Sequence, residues 1–408
     1  MSETFDDLWA GLAPLGRDRA GGGYRRFSWT PADRDVRAWF TDAASGLGLD
    51  VRTDRNGNLW AWWGEPGPGA IVTGSHLDSV PDGGAFDGPL GVAGGLAAVA
   101  GLRRRGVVPD RPIAVTVFVE EEGARFGVPC LGSRLLTGAI TAHRAAGLTD
   151  ADGVTWSAAM QEAGLDPSGI GPDPDLVAHI GAFVELHIEQ GRGLADSGSP
   201  VGVAGSVWPH GRWRMDFSGR ADHAGTTRLA DRNDPMLPFA ATVLAARSAA
   251  EENGAVATVG KVRVWPNGSN AIPSRVRAWL DARAPDEAAL RAVTDAVDAA
   301  ARTAASEHGV FHATYQESYS PVVEFRTGLR DRIAALAGHD GAPAPVLPTG
   351  AGHDAGVLSA VVPTAMLFVR NPTGISHAPQ EHAEVADRHH GVAALTDVLA
   401  DLACDANA

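Results

Sequence analysis

Five residues scattered from position 76 to position 377 are of types that hold metal ions, and each falls where a buried strand should end. His76 closes AIVTGSH, and Asp87 lies in the glycine-rich PDGGAFDGPLG that follows. Glu122 ends IAVTVFVEEEG, His187 sits in FVELHIEQG, and His377 follows AMLFVRN in NPTGISHAPQEH. Two imidazoles and a carboxylate around one ion suit zinc or manganese at catalytic sites. Five such ligands hold two ions when one carboxylate bridges. Asp87 is the natural bridge, because glycine lets the backbone bring it close to two cations. Asp78, two residues after His76, is placed to orient that imidazole. Most lone histidines are surface or satisfied core residues, so the weight rests on the shared position of the set.

The run Glu120-Glu121-Glu122 needs its own account, since carboxylate runs are usually solvated faces. This one ends a strand whose Ile113, Val115, Val117 and Val119 read as buried on both faces. Three adjacent charges have little reason to stand there without cations. One could bind metal while its neighbour faces the metal-bound water as general base, taking a proton whose pKa the metals have lowered.

The elements that must carry these residues alternate between strand and helix. PLGVAGGLAAVAGLRRRG reads as a helix with small residues on its packing face, Pro89 in its first turn and Arg103 to Arg105 at its end. That rhythm indicates an α/β fold with a mostly parallel sheet, whose chemistry sits at the carboxyl ends of the strands. Near residue 212 the order becomes strand, helix, strand, strand, helix, strand, a ferredoxin-like α+β pattern. The expected organisation is a catalytic domain of residues 1–211 and 328–408, interrupted by a smaller domain over 212–327.

Composition narrows the partners. The chain has 408 residues and a net charge of −15, which makes nucleic acid and anionic membrane surfaces poor partners. No run of 18 apolar residues predicts a membrane span. The start, MSETFDDLWAGLAPLG, lacks the basic-then-apolar pattern of a secretory signal. Two cysteines, Cys130 and Cys404, are too few for a disulfide framework, so a cytoplasmic protein is expected. Lys261 is the only lysine, and its context GKVRVWP matches neither a Schiff-base nor a P-loop site.

The segments GSHLDSVPDGGAFDGPLGV, EEEGARFGVPCLGSR, ELHIEQG, GRADHAGTT, SNAIPSRV, LDAR and GAGHDA, in this order, resemble the M20 metallopeptidase superfamily. More narrowly they resemble its N-carbamoyl-L-amino-acid hydrolase, allantoate amidohydrolase and β-ureidopropionase branch, marked by histidine in HIEQG. The resemblance implies a dinuclear metal hydrolase domain with an inserted lid and dimerisation domain. One ion would sit on His76, Asp87 and His187, the other on Asp87, Glu122 and His377. Zinc or manganese is expected, with cobalt or nickel as alternatives. Glu121 matches the family's general base for attack by a metal-bridging hydroxide. Gln190, His223, Asn270 and Arg283 match substrate-binding positions, His223 also assisting catalysis. His353 and Asp354 would line or support the site. The implied substrate is a small ureido acid, either allantoate or an N-carbamoyl-L-amino acid, losing ammonia and carbon dioxide in a homodimeric enzyme. An aminoacylase or dipeptidase using the same site is the alternative. The pattern departs at Thr349, where serine is usual, and at Arg228, where proline is common.

Overall fold

Burial on both faces selects the central strands. In the computed structural model, which describes residues 4–404, Ile113–Phe118, Ala70–His76, Ile180–Ile188 and Thr364–Val369 lie side by side in that order. All three neighbouring pairs are parallel. Their near-continuous apolar runs are what strands covered on both faces require. Antiparallel strands extend this parallel heart. Leu59–Trp63 and Asp50–Thr53 flank one side and Val201–Val207 the other, within a sheet of nine strands.

Register puts the chemistry at one edge. His76 pairs with Phe118, the last residue of its strand, so the Glu120–Glu122 run begins just beyond His76. His187 pairs with Phe368, one residue before the strand that leads to His377 ends. All four chemistry-bearing segments therefore leave the sheet at its carboxyl edge.

The helix Pro89–Arg104 follows the glycine-rich loop, starting on its proline and ending on Arg103 and Arg104. The sequence suggested one packing face, but its first fourteen residues are all buried. The reason is added cover: the helices Val385–Ala403 and Phe5–Leu12 both pack against it while the sheet lies beneath. Small residues permit this double burial. A Cβ on Gly91 would lie 2.2 Å from the Leu186 carbonyl oxygen, so the helix touches the His187 strand backbone directly.

The chain divides into two units, one running to Gly205 and resuming at Glu324, the other spanning Ser206–Val323. In the second unit, strands His210–Ser218, Val256–Trp265, Arg275–Arg283 and Phe311–Ser320 form an antiparallel sheet. Its spatial order is fourth, first, third, second, with helices Met236–Glu252 and Glu287–Glu307 as the crossovers. Strict alternation carries this sheet. Val276, Ala278, Leu280 and Ala282 are buried with Leu290, Val293 and Val297 of the second helix. The opposite face mixes ion pairs, such as Arg277 with Asp216, and cations over aromatics, among them the single lysine on the neighbouring strand, whose Nζ lies 4.5 Å from the Trp279 ring centroid.

Candidate metal centre

Two imidazoles arrive in the tautomer a metal needs. His76 Nδ1 donates to the main-chain carbonyl of Asp78 at 3.0 Å, and His187 Nδ1 donates to that of Ile188 at 2.8 Å. A carbonyl only accepts, so in each ring Nδ1 carries a proton, and the neutral form of the ring offers its lone pair from Nε2. Both Nε2 atoms are buried and have no hydrogen-bond partner. Buried polar atoms are rarely left so, which marks them as aimed at something.

What they face is Asp87. Its Oδ1 lies 3.6 Å from His76 Nε2 and 3.3 Å from His187 Nε2, and its Oδ2 lies 3.2 Å from His377 Nε2. His377 Nε2 is also 3.6 Å from Glu122 Oε2. Two groups therefore share one carboxylate, His76–Asp87–His187 and Asp87–Glu122–His377, each with its ligand atoms within 4.8 Å. The glycine loop makes the approach possible. Gly88 has φ +84°, and a Cβ there would lie 2.5 Å from the His76 ring.

The three glutamates separate. Glu120, at φ +56°, turns its carboxylate away to accept from the Arg125 and Phe126 amides at 3.0 and 2.7 Å. Glu121 points Oε2 toward His76 Nε2 at 3.7 Å, and Glu122 faces His377. Asp78 joins the cluster from below, its two oxygens accepting the Glu121 and Glu122 amides at 3.1 Å each. It meets His76 through its carbonyl, while its carboxylate fixes the turn that aims the two glutamates.

Electrostatics show what the cluster lacks. Burial, then the proximity of Asp354, Glu122 and Asp78, pushes the Glu121 carboxyl well above its ordinary range despite His76. Burial and Asp87 push Glu122 to about 7. Burial also disfavours charge on Asp87, yet the three imidazoles around it, those of His187, His377 and His76, hold it well below the usual carboxylate range. So many acids cannot all ionise at this spacing without cations. The donor set, two neutral imidazoles aimed inward with carboxylates around a bridge, fits two divalent ions.

A third group, Glu185–His187–His353, also lies within ligand reach. Glu185 is already engaged, its oxygens accepting from the Ser75 hydroxyl at 2.7 Å and the Ala355 amide at 3.0 Å. The His353 ring packs against that of His187 with centroids 4.5 Å apart. Asp354 is buried, accepts from the Ser133 hydroxyl, and is pushed by burial and Glu185 to about 8.

Of the remaining sequence candidates, Gln190 donates to Asp87 Oδ2 at 2.7 Å. His223 and Asn270 come together on a two-stranded ribbon, where Ala271 pairs with His223 and the Ala224 amide donates to the Asn270 carbonyl. Arg283 ends the strand Arg275–Arg283 and donates to Asp281 at 2.9 Å. A nine-residue strand spans roughly 27 Å, so Arg283 and the His223–Asn270 pair stand at opposite ends of the second unit. Sequence reasoning missed two residues at the centre. Cys130 donates its Sγ–H to Glu121 Oε1 at 3.4 Å. Glu381, buried, accepts from the Phe86 and Asp87 amides. The sequence carries no sign that sets Glu381 apart from Glu384 three residues on.

Residues 72–401 match the model for peptidase family M20/M25/M40. The chain belongs to this family. M20 enzymes are metal-dependent hydrolases, and the two Asp87-sharing groups are the candidate ligands here. Within the family, the chain is 36% identical to an N-carbamoyl-L-amino acid amidohydrolase of Geobacillus stearothermophilus, over 97% of this chain and 98% of that one. It is 32% identical to an allantoate amidohydrolase of Bacillus subtilis, over 99% and 98%. A solved amidase of the hydantoinase/carbamoylase family from Burkholderia vietnamiensis superimposes with a TM-score of 0.89 at 30% identity, over 98% and 97%. No helix among the described residues is long and apolar enough to cross a membrane.

Proposed function

We propose that this M20 chain hydrolyses the ureido C–N bond of allantoate or an N-carbamoyl-L-amino acid, releasing ammonia and carbon dioxide. The convergence of the His76, His187 and His377 imidazoles and Glu122 on Asp87, with Glu121 facing His76, carries the hydrolytic part. The near full-length relatives support the substrate class.

Two divalent ions, zinc or manganese, held by His76, Asp87, His187, Glu122 and His377 would polarise the carbonyl and acidify water. Glu121 takes the proton of the attacking water and returns it to the departing nitrogen. His223 and Asn270 donate to the oxyanion that develops on the carbonyl. Arg283 grips the substrate carboxylate with its planar fork. Gln190 holds Asp87 and offers its remaining polar group to the substrate. Two free cysteines, one buried and one exposed, suit a reducing cytoplasm.

The test is ammonia release after chelation and resupply with manganese or zinc. Metal-dependent release from allantoate or N-carbamoyl-L-amino acids, with silence on N-acetyl amino acids and dipeptides, is the expected result. Cleavage of the acetylated or peptide substrates alone would move the chain to the aminoacylase side.

We also read the second unit as a lid through which two copies pair. The distance between Arg283 and the His223–Asn270 pair supports this, since each group then serves a different subunit's centre. Exposed Leu237 and Leu244 on the first crossover helix, beside exposed Val256 and Val262 on the strand Val256–Trp265, supply an apolar face. Co-expression of His223→Ala with Glu121→Gln gives mixed dimers in which one site keeps both residues. About a quarter of parental activity is expected if half the dimers are mixed. Mixtures as inactive as the single variants would place His223 in its own subunit's site.

A further inference from the structure

The two loops that meet at the centre come from distant parts of the chain, and one buried carboxylate joins them. Glu381 lies in the loop that carries His377, within a turn closed by its amide donating to the Ala378 carbonyl. A single oxygen, Oε2, accepts from the Phe86 amide at 2.7 Å and the Asp87 amide at 3.0 Å. The other oxygen lies 3.4 Å from the Ser376 hydroxyl, which is equally 3.4 Å from Asp87 Oδ2. Space for this grip comes from Gly84, where an added Cβ would sit 2.3 Å from the same Oε2.

His377 needs such a hold. It has φ +55°, a conformation costly for a residue with a side chain, and it is half-exposed where His76 and His187 are buried. Burial holds the other two imidazoles in place, whereas about half of the His377 side chain is open to solvent. We propose that Glu381 is a positioning residue, a clasp between the Asp87 and His377 loops that sets the affinity of the Asp87–Glu122–His377 position for its ion. It touches neither substrate nor ion. Carboxylate-to-amide bonds of this kind are among the stronger hydrogen bonds, and groups that orient ligands are worth about 10- to 100-fold in metal affinity. The inference rests on the two-ion reading above.

Manganese binding is measured by chelator competition on the full-length protein, with kcat followed against free manganese. Parent protein binding two ions supports the underlying reading; one ion alone overturns that reading and the clasp with it. Glu381→Ala is expected to weaken one of the two positions by about 10- to 100-fold, with kcat returning to within a few-fold at saturating manganese. Glu381→Gln keeps an oxygen for both amides and offers Ser376 an N–H, so it should restore most of that affinity. Gly84→Ala, which displaces the carboxylate from the opposite loop, should reproduce the alanine defect without touching Glu381. If the parent binds two ions and Glu381→Ala binds both equally well, the clasp is wrong and the two-ion reading stands. Glutamine failing as badly as alanine would also overturn the clasp, since the position would then need charge and not geometry.

Discussion

Glu121→Gln is expected to lower kcat by about 10²- to 10⁴-fold, the usual worth of a general base, while metal content stays at the parental level. Glutamine matches the shape of glutamate and keeps an acceptor, so the surroundings that hold Glu121 should survive. Those surroundings are specific: its amide donates to Asp78 at 3.1 Å, its carbonyl accepts from the Cys130 amide at 2.6 Å, and Oε1 accepts from the Cys130 thiol. What glutamine cannot do is carry a proton. Glu121 is suited to carrying one, because burial and its acidic neighbours lift its carboxyl well above the ordinary range. A bound pair of cations opposes that lift, which leaves a group able to take a proton from water and release it to a leaving amine. Glu122→Gln separates the two roles, since it should lose metal as well as rate. Kinetics alongside elemental analysis of the two variants decides the matter. Near-parental turnover in Glu121→Gln would remove it from the role of base.

The same contrast shows what a sequence can reveal. The strand ends that carry His76, Glu122, His187 and His377 were legible because parallel strands buried on both faces are written as near-continuous apolar runs. The strands His210–Ser218 and Arg275–Arg283 were legible because they alternate. The flanking antiparallel strands were not: LWAWW at 59–63 buries four of its five residues in a row and shows no period. Nor were the short helices between Leu131 and His179. Thr141, Thr155 and Asp173 cap three of them, but each is too brief to show a helical period. At the centre, the ligand types could be read but their division of labour could not. Glu120 and Glu121 are neighbours with the same side chain, and only the positive φ of Glu120 turns it to an amide pair. Asp78 was expected to orient His76, and the sequence could not say by which group: its carbonyl accepts from the ring at 3.0 Å while its carboxylate oxygen stands at 3.7 Å. Backbone geometry of that kind leaves no mark on residue type.

Asp87→Ala should have the wider consequence, emptying both ion positions and reducing kcat/KM by at least about 10³-fold. Polarisation by bound metal is worth several kcal/mol in the transition state, and about 1.4 kcal/mol is a factor of ten. The argument lies in how the three imidazoles are placed. His76 and His187 face one oxygen of Asp87 while His377 and Gln190 face the other, so no remaining carboxylate is common to both groups. Removing Glu122 strips a ligand from one group only, whereas removing Asp87 leaves the first group as a pair of neutral imidazoles without an anion. Thermal unfolding with and without manganese reads this directly. An ion at a hundred times its Kd stabilises the folded state by about 2.7 kcal/mol. That gain should be present in the parent, reduced in Glu122→Ala and lost in Asp87→Ala. Comparison within each variant, metal added against metal removed, separates ion binding from any damage to the fold. If Asp87→Ala still takes up one ion with parental affinity, Asp87 is not a bridge, and the two groups are separate sites that merely adjoin.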